Sequence, residues 1–413
     1  MCTAWALEME TLILGWYVLV ESGSVVLLTV FGALMYVGTL VSPLLGMLGD
    51  RLGLRNVLAV MRLSYALFAA LILVLAASGR LEPSLVLLIA LLSGLIKPTD
   101  IGMRSALVSA SVPADQLVAA MGVSRTTQDS ARIGGALAGA GFMAAFGMVP
   151  AYITISVIYL IGALLTLRVD SRPGAGGAVG GAVVGGAVGG ATRAAALDGK
   201  PALAAPSPWR DLKEGLLHVW HTPRLRAAMA VAALVNLTAF PISGGLMPYI
   251  ARDVFHLDQQ GLGWLVASYG SGALLGSVCL SLFGARVRPA RTMLATAALW
   301  YLCLLGFALP VGLPLVMALL AGAGMMQSLS MVSLSILLLR TSGERFRGRV
   351  MGVRMLAIYT LPLGLLVAGA LIPVAGFTAV ALLFVGLGLL LLAAAALHWR
   401  HELLPRDAVA NAR

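Results

Sequence analysis

The sequence predicts an all-α membrane protein whose twelve transmembrane helices form two six-helix bundles, on three observations. Of its 413 residues, 60% are hydrophobic and only 11% charged, against about 45–50% and about 25% in soluble domains. No soluble fold hides that much apolar surface. Twelve apolar runs approach the ~20 residues that cross about 30 Å of hydrocarbon. Finally, landmarks recur at one spacing: Gly46 and Gly276, Gly94 and Gly324, Met121-Gly122-Val123 and Met351-Gly352-Val353, and Gly139 and Gly369 each stand 230 positions apart. Such a repeat implies two homologous halves, an arrangement suited to rocking about a central site.

The spans are expected at 2–21, 27–49, 57–78, 84–104, 119–146, 150–168, 227–251, 261–283, 292–310, 314–340, 349–373 and 377–399. The first carries Glu8 and Glu10 and lacks the basic leader of a signal peptide, so it is expected to stay as a helix. It begins almost at Met1, which suggests a start codon placed too late. Basic residues set the orientation, because connections that remain in the cytoplasm keep Lys and Arg. Arg80 and Arg252 alone fall in expected outer connections. Arg51, Arg55, the bases from Arg172 through Arg226, Arg286, Arg288, Arg291, Arg345 and Arg347 fall in inner ones. Both termini are therefore expected in the cytoplasm, with the protein multi-pass in the inner (plasma) membrane.

Residues 173–192, PGAGGAVGGAVVGGAVGGAT, hold no side chain large enough to build a core and read as a flexible tether. They divide the chain into an N-terminal bundle at 1–170, a cytoplasmic linker at 171–225, a C-terminal bundle at 226–400 and a tail at 401–413. Within the linker, the segment from Trp209 to Pro223 spaces large apolar residues at helical intervals with charges opposite. It is expected to be an amphipathic helix lying on the inner surface.

The net charge of +11 does not indicate nucleic acid, since the bases cluster between apolar spans and form no stripe with interleaved aromatics. Cys2, Cys279 and Cys303 lack metal or redox spacing and read as small core residues. No metal or cofactor is expected. A nucleotide-binding P-loop is missing, because Gly199-Lys200 is followed by Pro201 and lacks the upstream glycine. Neither an H-E-x-x-H helix nor a G-x-S-x-G elbow occurs, so the chain is not expected to be an enzyme.

Ionisable residues inside spans cost a few kcal/mol each on insertion scales, roughly 2.5–3.5, and mark function. Glu10 falls about eleven residues, roughly 16 Å, from the outer end of the first span, near the midplane. A buried carboxylate there either loads and releases a proton as access alternates or is permanently paired with a base. Arg132 is the nearest candidate base by position in the fifth span. Asp129 one turn earlier and Arg125 four residues before that permit an intrahelical ladder instead. Lys97, Pro98 and Asp100 are expected to interrupt the fourth span, proline freeing a carbonyl beside a cavity, with Lys97 and Asp100 close enough in sequence to neutralise each other. Polar residues are sparser in the second half: Asn236 with Pro241, Gln327 and Arg354.

The loop Gly46-Met-Leu-Gly-Asp50-Arg51-Leu-Gly53-Leu-Arg55-Asn56 resembles the signature of the major facilitator superfamily between its second and third helices, departing from it at Leu54. Its C-terminal echo Gly284-Ala-Arg286-Val-Arg288 lacks the aspartate. Further stretches resemble the exporters of enterobactin-like siderophores and macrolide-like drugs: Leu14 through Leu19 with Gly23-Ser24, Arg104 through Val108 with Val112-Pro113, Ala131 through Gly139, Glu214-Gly215-Leu216 with Thr222-Pro223, and Gly270 through Gly276. Gly135 stands where exporters of the superfamily often have proline.

This resemblance implies the major facilitator fold and proton-coupled export of a small amphipathic compound, with the first, fourth, seventh and tenth helices lining the cavity. It makes Glu10, Lys97, Asp100, Asn236 and Gln327 lining candidates, beside Arg132 and Asp129, with Tyr17 and Tyr249 nearer the outer mouth. Gly46, Asp50, Arg51, Gly53 and Arg55 would form an inner latch, Asp50 pairing with the adjacent arginines or capping the eleventh helix near Gly348. The expected partners are a small-molecule substrate, H+ and membrane lipid, with the protein monomeric. A lipid or lysolipid flippase of the same fold and a non-transporting membrane receptor or scaffold are the alternatives. The glycines at 134, 135 and 139, and at 270, 272 and 276, are expected to allow close helix contact.

Overall fold

The computed structural model describes residues 2–39, 54–111, 117–168, 208–283, 288–309 and 312–403. All regular structure among them is helical. In chain order the helices are α1 (Cys2–Ser22), α2 (Val25–Leu34), α3 (Leu54–Ala77), α4 (Pro83–Ser111), α5 (Leu117–Phe146), α6 (Met148–Leu167), α7 (Pro208–His221) and α8 (Pro223–Thr238). There follow α9 (Gln259–Phe283), α10 (Pro289–Phe307), α11 (Leu313–Thr341), α12 (Gly343–Ile358), α13 (Thr360–Ala375) and α14 (Phe377–His398). Among the described residues nine helical stretches are long and apolar enough to cross a membrane, and Val25–Leu34 and Pro83–Lys97 are shorter apolar helices. The protein is a multi-pass, all-α membrane protein.

The ends of these helices follow from local chemistry. Ser24 caps α2 by accepting a bond from the Leu27 N–H, and Pro223 and Pro289 open α8 and α10 where a missing N–H costs nothing. A single residue joins α5 to α6 and another joins α13 to α14. Both are glycines, Gly147 and Gly376, and both have φ of 79°, a conformation that side chains resist. The matched junctions are a second sign of the internal repeat.

Three expectations need amendment. α4 is helical without a break through Pro98 and continues to Ser111, past the expected end at 104. The seventh span, by contrast, is irregular. α8 gives way to a π-helical segment at Pro241–Gly245, a short turn at Met247–Tyr249 and a second π segment at Ile250–Val254. Proline removes the hydrogen bond to the carbonyl four residues earlier, here Leu237, and Gly364 of α13 backs onto that carbonyl so closely that no side chain fits. The three cysteines are half-buried rather than core residues. Gly46, Asp50, Arg51 and Gly53 of the expected latch and the tether at 173–192 lie outside the described residues, as do the side chains of Arg104, Arg125 and Asp129.

The chain forms two compact units. One comprises Met1–Val184 with Gly244–Gly270 and Leu365–Ala375; the other comprises Gly185–Ser243, Ser271–Gly364 and Gly376–Arg413. In the first, Met9, Ile13, Phe31, Tyr65, Ile89, Tyr152, Ile155 and Tyr159 belong to a core drawn from α1, α2, α3, α4 and α6. Along the opposite side of α3, Val60, Leu67 and Val74 are 62%, 66% and 62% exposed. A soluble protein would place polar residues there, so this apolar stripe faces lipid. In the second unit the fully buried Trp300, Tyr301 and Phe307 fill the centre. Tyr301 bonds Thr238 at 2.6 Å, and Gly388 of α14 accommodates its ring.

Candidate functional site

Glu10 is 4% exposed in the interior of the first unit. Its neighbours arise from helical spacing on two helices. Tyr152, Tyr159 and Thr166 recur every seven residues along one face of α6, and Arg62, Tyr65, Ala69 and Ile72 follow the i, i+3, i+7 rhythm on α3. Packing these faces together brings the Tyr65 ring onto the Tyr159 ring, with centroids 5.5 Å apart. The Tyr159 hydroxyl then donates to Glu10 Oε2 at 2.5 Å. The hydroxyls of Tyr65 and Tyr152 are buried and find no hydrogen-bond partner among the described residues.

The charges are layered around this carboxylate. Lys97 of α4 supplies the positive charge acting on Glu10, and Lys97 itself feels Glu8, Glu10 and Arg132. Arg132 and Glu8 also bear on Tyr36. Tyr159 is thus the hydrogen-bond partner of Glu10, and Lys97, Arg132, Glu8 and Tyr36 form a polar group within electrostatic reach of one another beside it. α5 reaches this group because its glycines face α1: Gly134 backs onto the Trp5 ring, a Cβ on Gly135 would stand 2.9 Å from Glu8 Cβ, and one on Gly139 would stand 3.0 Å from Met9 Cα.

Asp100 lies 3.8 Å from Arg62 of α3. Arg62 also donates to the Gly162 carbonyl at 3.3 Å and to the Thr166 hydroxyl, which ties α3, α4 and α6 together. Lys97 and Asp100 were expected to neutralise each other; Arg62 is a further base at Asp100, not anticipated from the sequence. An ionisable residue inside the span at 57–78 was the signal that would have found it. Tyr65 and Tyr159 gave no such signal, since buried tyrosines in apolar helices are ordinary core residues.

In the second unit Asn236 is buried and turns its amide back onto the Ala232 carbonyl of its own helix at 2.8 Å. Gln327 is buried on α11. Arg354 donates to the Ser335 hydroxyl at 2.8 Å. Gly276 packs its backbone against α11, where a Cβ would stand 2.6 Å from the Met325 carbonyl. Tyr17, in the first unit, donates to the Leu81 carbonyl at 2.7 Å, and Tyr249 is half-buried. Arg55 is half-buried and donates to the Asn56 side chain at 3.4 Å. Among the described residues no group of His, Cys, Asp and Glu is disposed to hold a metal ion.

The chain is 32% identical over 184 residues to the multidrug efflux pump Tap of Mycobacterium tuberculosis, an alignment covering 43% of each chain. It is 30% identical over 167 residues to the pump of the same name from Mycolicibacterium fortuitum, covering 40% of each. The match thus spans less than half the length of these relatives. The human organic anion transporter MFSD10 (TETRAN) superposes with a TM-score of 0.56 at 16% identity, covering 95% of this chain and 98% of that one. This likeness concerns the fold. The model of the Major Facilitator Superfamily matches residues 11–240 and again 229–412. Two matches that together account for nearly every residue, on a helical membrane fold with a glycine-joined repeat, place the chain in the Major Facilitator Superfamily.

Proposed function

We propose that this protein is a secondary active transporter of the inner (plasma) membrane that exports a small amphipathic compound by alternating access in exchange for protons. The observation that carries the reading is Glu10, enclosed by tyrosines inside the first unit and bonded by Tyr159. A tyrosine hydroxyl donates to a carboxylate and accepts from a carboxylic acid, so it satisfies Glu10 in both protonation states. Lys97 supplies the opposite charge when the proton leaves. A carboxylate held in this way takes up and releases a proton inside the hydrocarbon region while keeping its hydrogen bond to Tyr159 in both states. Lys97, Asp100, Arg132 and Asp129 in the first half, with Asn236 and Gln327 in the second, are proposed as the polar contacts of the pathway. The apolar remainder of the interior suits an amphipathic cargo, and the relatives' designation as multidrug efflux pumps supports the outward direction.

The same reading places both termini in the cytoplasm, with bundles at 1–170 and 226–400 joined by the linker at 171–225 and the latch Gly46, Asp50, Arg51, Gly53 and Arg55 on the cytoplasmic side. The protein is reconstituted into proteoliposomes and the flux of amphipathic dyes such as ethidium is followed with and without a pH gradient. Glu10→Gln is expected to abolish gradient-driven accumulation while substrate counterflow persists. Gradient-driven flux unchanged in Glu10→Gln would overturn the role of Glu10, and absence of counterflow in the wild type would overturn transport itself.

A further inference from the structure

α7 is too short and too polar to cross a membrane, yet only Thr222 separates its end from Pro223, where a membrane-spanning stretch begins. Its two faces differ sharply. One is pinned to the start of α12: Glu214 Oε2 meets Arg349 Nη1 at 2.9 Å, the His218 ring stacks on Phe346 with centroids 4.2 Å apart, and a Cβ on Gly215 would stand 2.9 Å from the Arg349 carbonyl. Position 211 shares the stripe of Gly215 and His218. The other face runs through Arg210, Lys213, Leu217 and Trp220 at i, i+3, i+7 and i+10, with Leu216 beside it. Leu216, Leu217 and Trp220 are 49%, 48% and 64% exposed.

Charge is segregated along this outer face. Bases lie at its N-terminal end and apolar residues at its C-terminal end, and Arg226 places a further cation 5.8 Å from the Trp220 ring centroid. Glu214, whose Oε1 meets Arg210 Nε at 3.1 Å, is also claimed by Arg349 and cannot neutralise both. A tryptophan flanked by cations at the end of a membrane-spanning stretch is the chemistry of the headgroup layer.

We infer that the outer face of α7 is a docking surface for anionic phospholipid. Arg210, Lys213 and Arg226 hold the headgroup phosphate, and Leu216, Leu217 and Trp220 enter the acyl boundary. Because the other face of α7 grips α12, the bound lipid fixes the start of that helix at the depth of the headgroups. The inference rests on α7 lying along the membrane surface, and only the leaflet it names, the cytoplasmic one, depends on the orientation proposed above.

The test uses the full-length protein in vesicles containing bromine-labelled phosphatidylglycerol or bromine-labelled phosphatidylcholine. The fluorescence of Trp220 is isolated as the difference between the wild type and Trp220→Phe. Stronger quenching by the anionic lipid is expected, with the preference falling about fivefold for each base removed in Arg210→Gln and Lys213→Gln. Equal quenching by the two lipids would reduce the contact to generic membrane apposition and overturn the inference. A preference untouched in the double variant would overturn it equally, by moving the anion elsewhere. Ethidium counterflow measured in the same vesicles reports on the transport proposal separately, so either reading can fail while the other stands.

Discussion

Glu10 holds its place through one oxygen of Tyr159. A hydrogen bond to a charged group contributes roughly 1.5–3 kcal/mol, so Tyr159→Phe removes enough to be read in flux. We expect gradient-driven transport to fall about tenfold or more while counterflow is retained, as measured in proteoliposomes. A purely structural role for the hydroxyl would lower both together. Glu10 was legible in the sequence because a carboxylate in an apolar run is costly and therefore conspicuous. Its partner was not legible. Tyr159 stands 149 residues away in a span whose tyrosines resemble packing residues, and which of them meets Glu10 depends on how α1 and α6 are turned. Arg132, the base suggested by charge alone, acts on Lys97 and Tyr36 in the polar group beside Glu10.

At the scale of elements, Arg62 joins three helices by polar contacts. It pairs with Asp100 of α4 and bonds Gly162 and Thr166 of α6. Removing Arg62 takes one partner from the Asp100 charge and both bonds from α6, and breaking a buried pair costs up to about 3–5 kcal/mol. Arg62→Leu should therefore lower the thermal unfolding midpoint in detergent substantially, and adding Asp100→Asn should recover part of the loss. Failure of the second change to recover anything would show that Arg62 acts through α6 alone. α4 itself illustrates a limit of reading sequence. Proline 98 was expected to interrupt the helix, yet the helical residues run on, because a single lost bond is tolerated when neighbouring helices hold both sides. The seventh span gives the opposite lesson. Its apolar run was plain, but its two π segments at Pro241–Gly245 and Ile250–Val254 were not, since hydropathy does not distinguish one helical hydrogen-bond pattern from another.

At the scale of the molecule, segments distant in sequence meet within the first unit. Gly369 of α13 packs its backbone directly onto Thr29 of α2, Arg252 donates to the Leu19 carbonyl at 2.8 Å, and a Cβ on Gly263 would stand 2.5 Å from the Ala140 Cβ. In the orientation proposed above these contacts all lie toward the outer side. A transporter that releases cargo outward must part them. Gly369→Leu cannot make the approach to Thr29, and we expect it to reduce ethidium counterflow more than tenfold while membrane insertion, read by detergent-extracted yield, is unchanged. Arg252→Gln keeps the backbone contact and is expected to change the rate less. The pattern of twelve apolar runs and the 230-residue offset anticipated a repeated membrane fold, because span length and glycine spacing are local properties. The sharing of Gly244–Gly270 and Leu365–Ala375 with the first unit was not anticipated, because which surfaces touch depends on the conformation the molecule occupies.

The paired glycines at 147 and 376 bear on how the chain is made. With a single residue between α5 and α6, and again between α13 and α14, there is no hydrophilic stretch that could cross the bilayer ahead of the second helix. Each pair is expected to enter the lipid as a hairpin, its one-residue turn carried through by two apolar arms. We expect the final two helices of each half to insert together, so that a side chain forced onto φ of 79° at Gly147 or Gly376 lowers the yield of membrane-inserted protein before transport is affected.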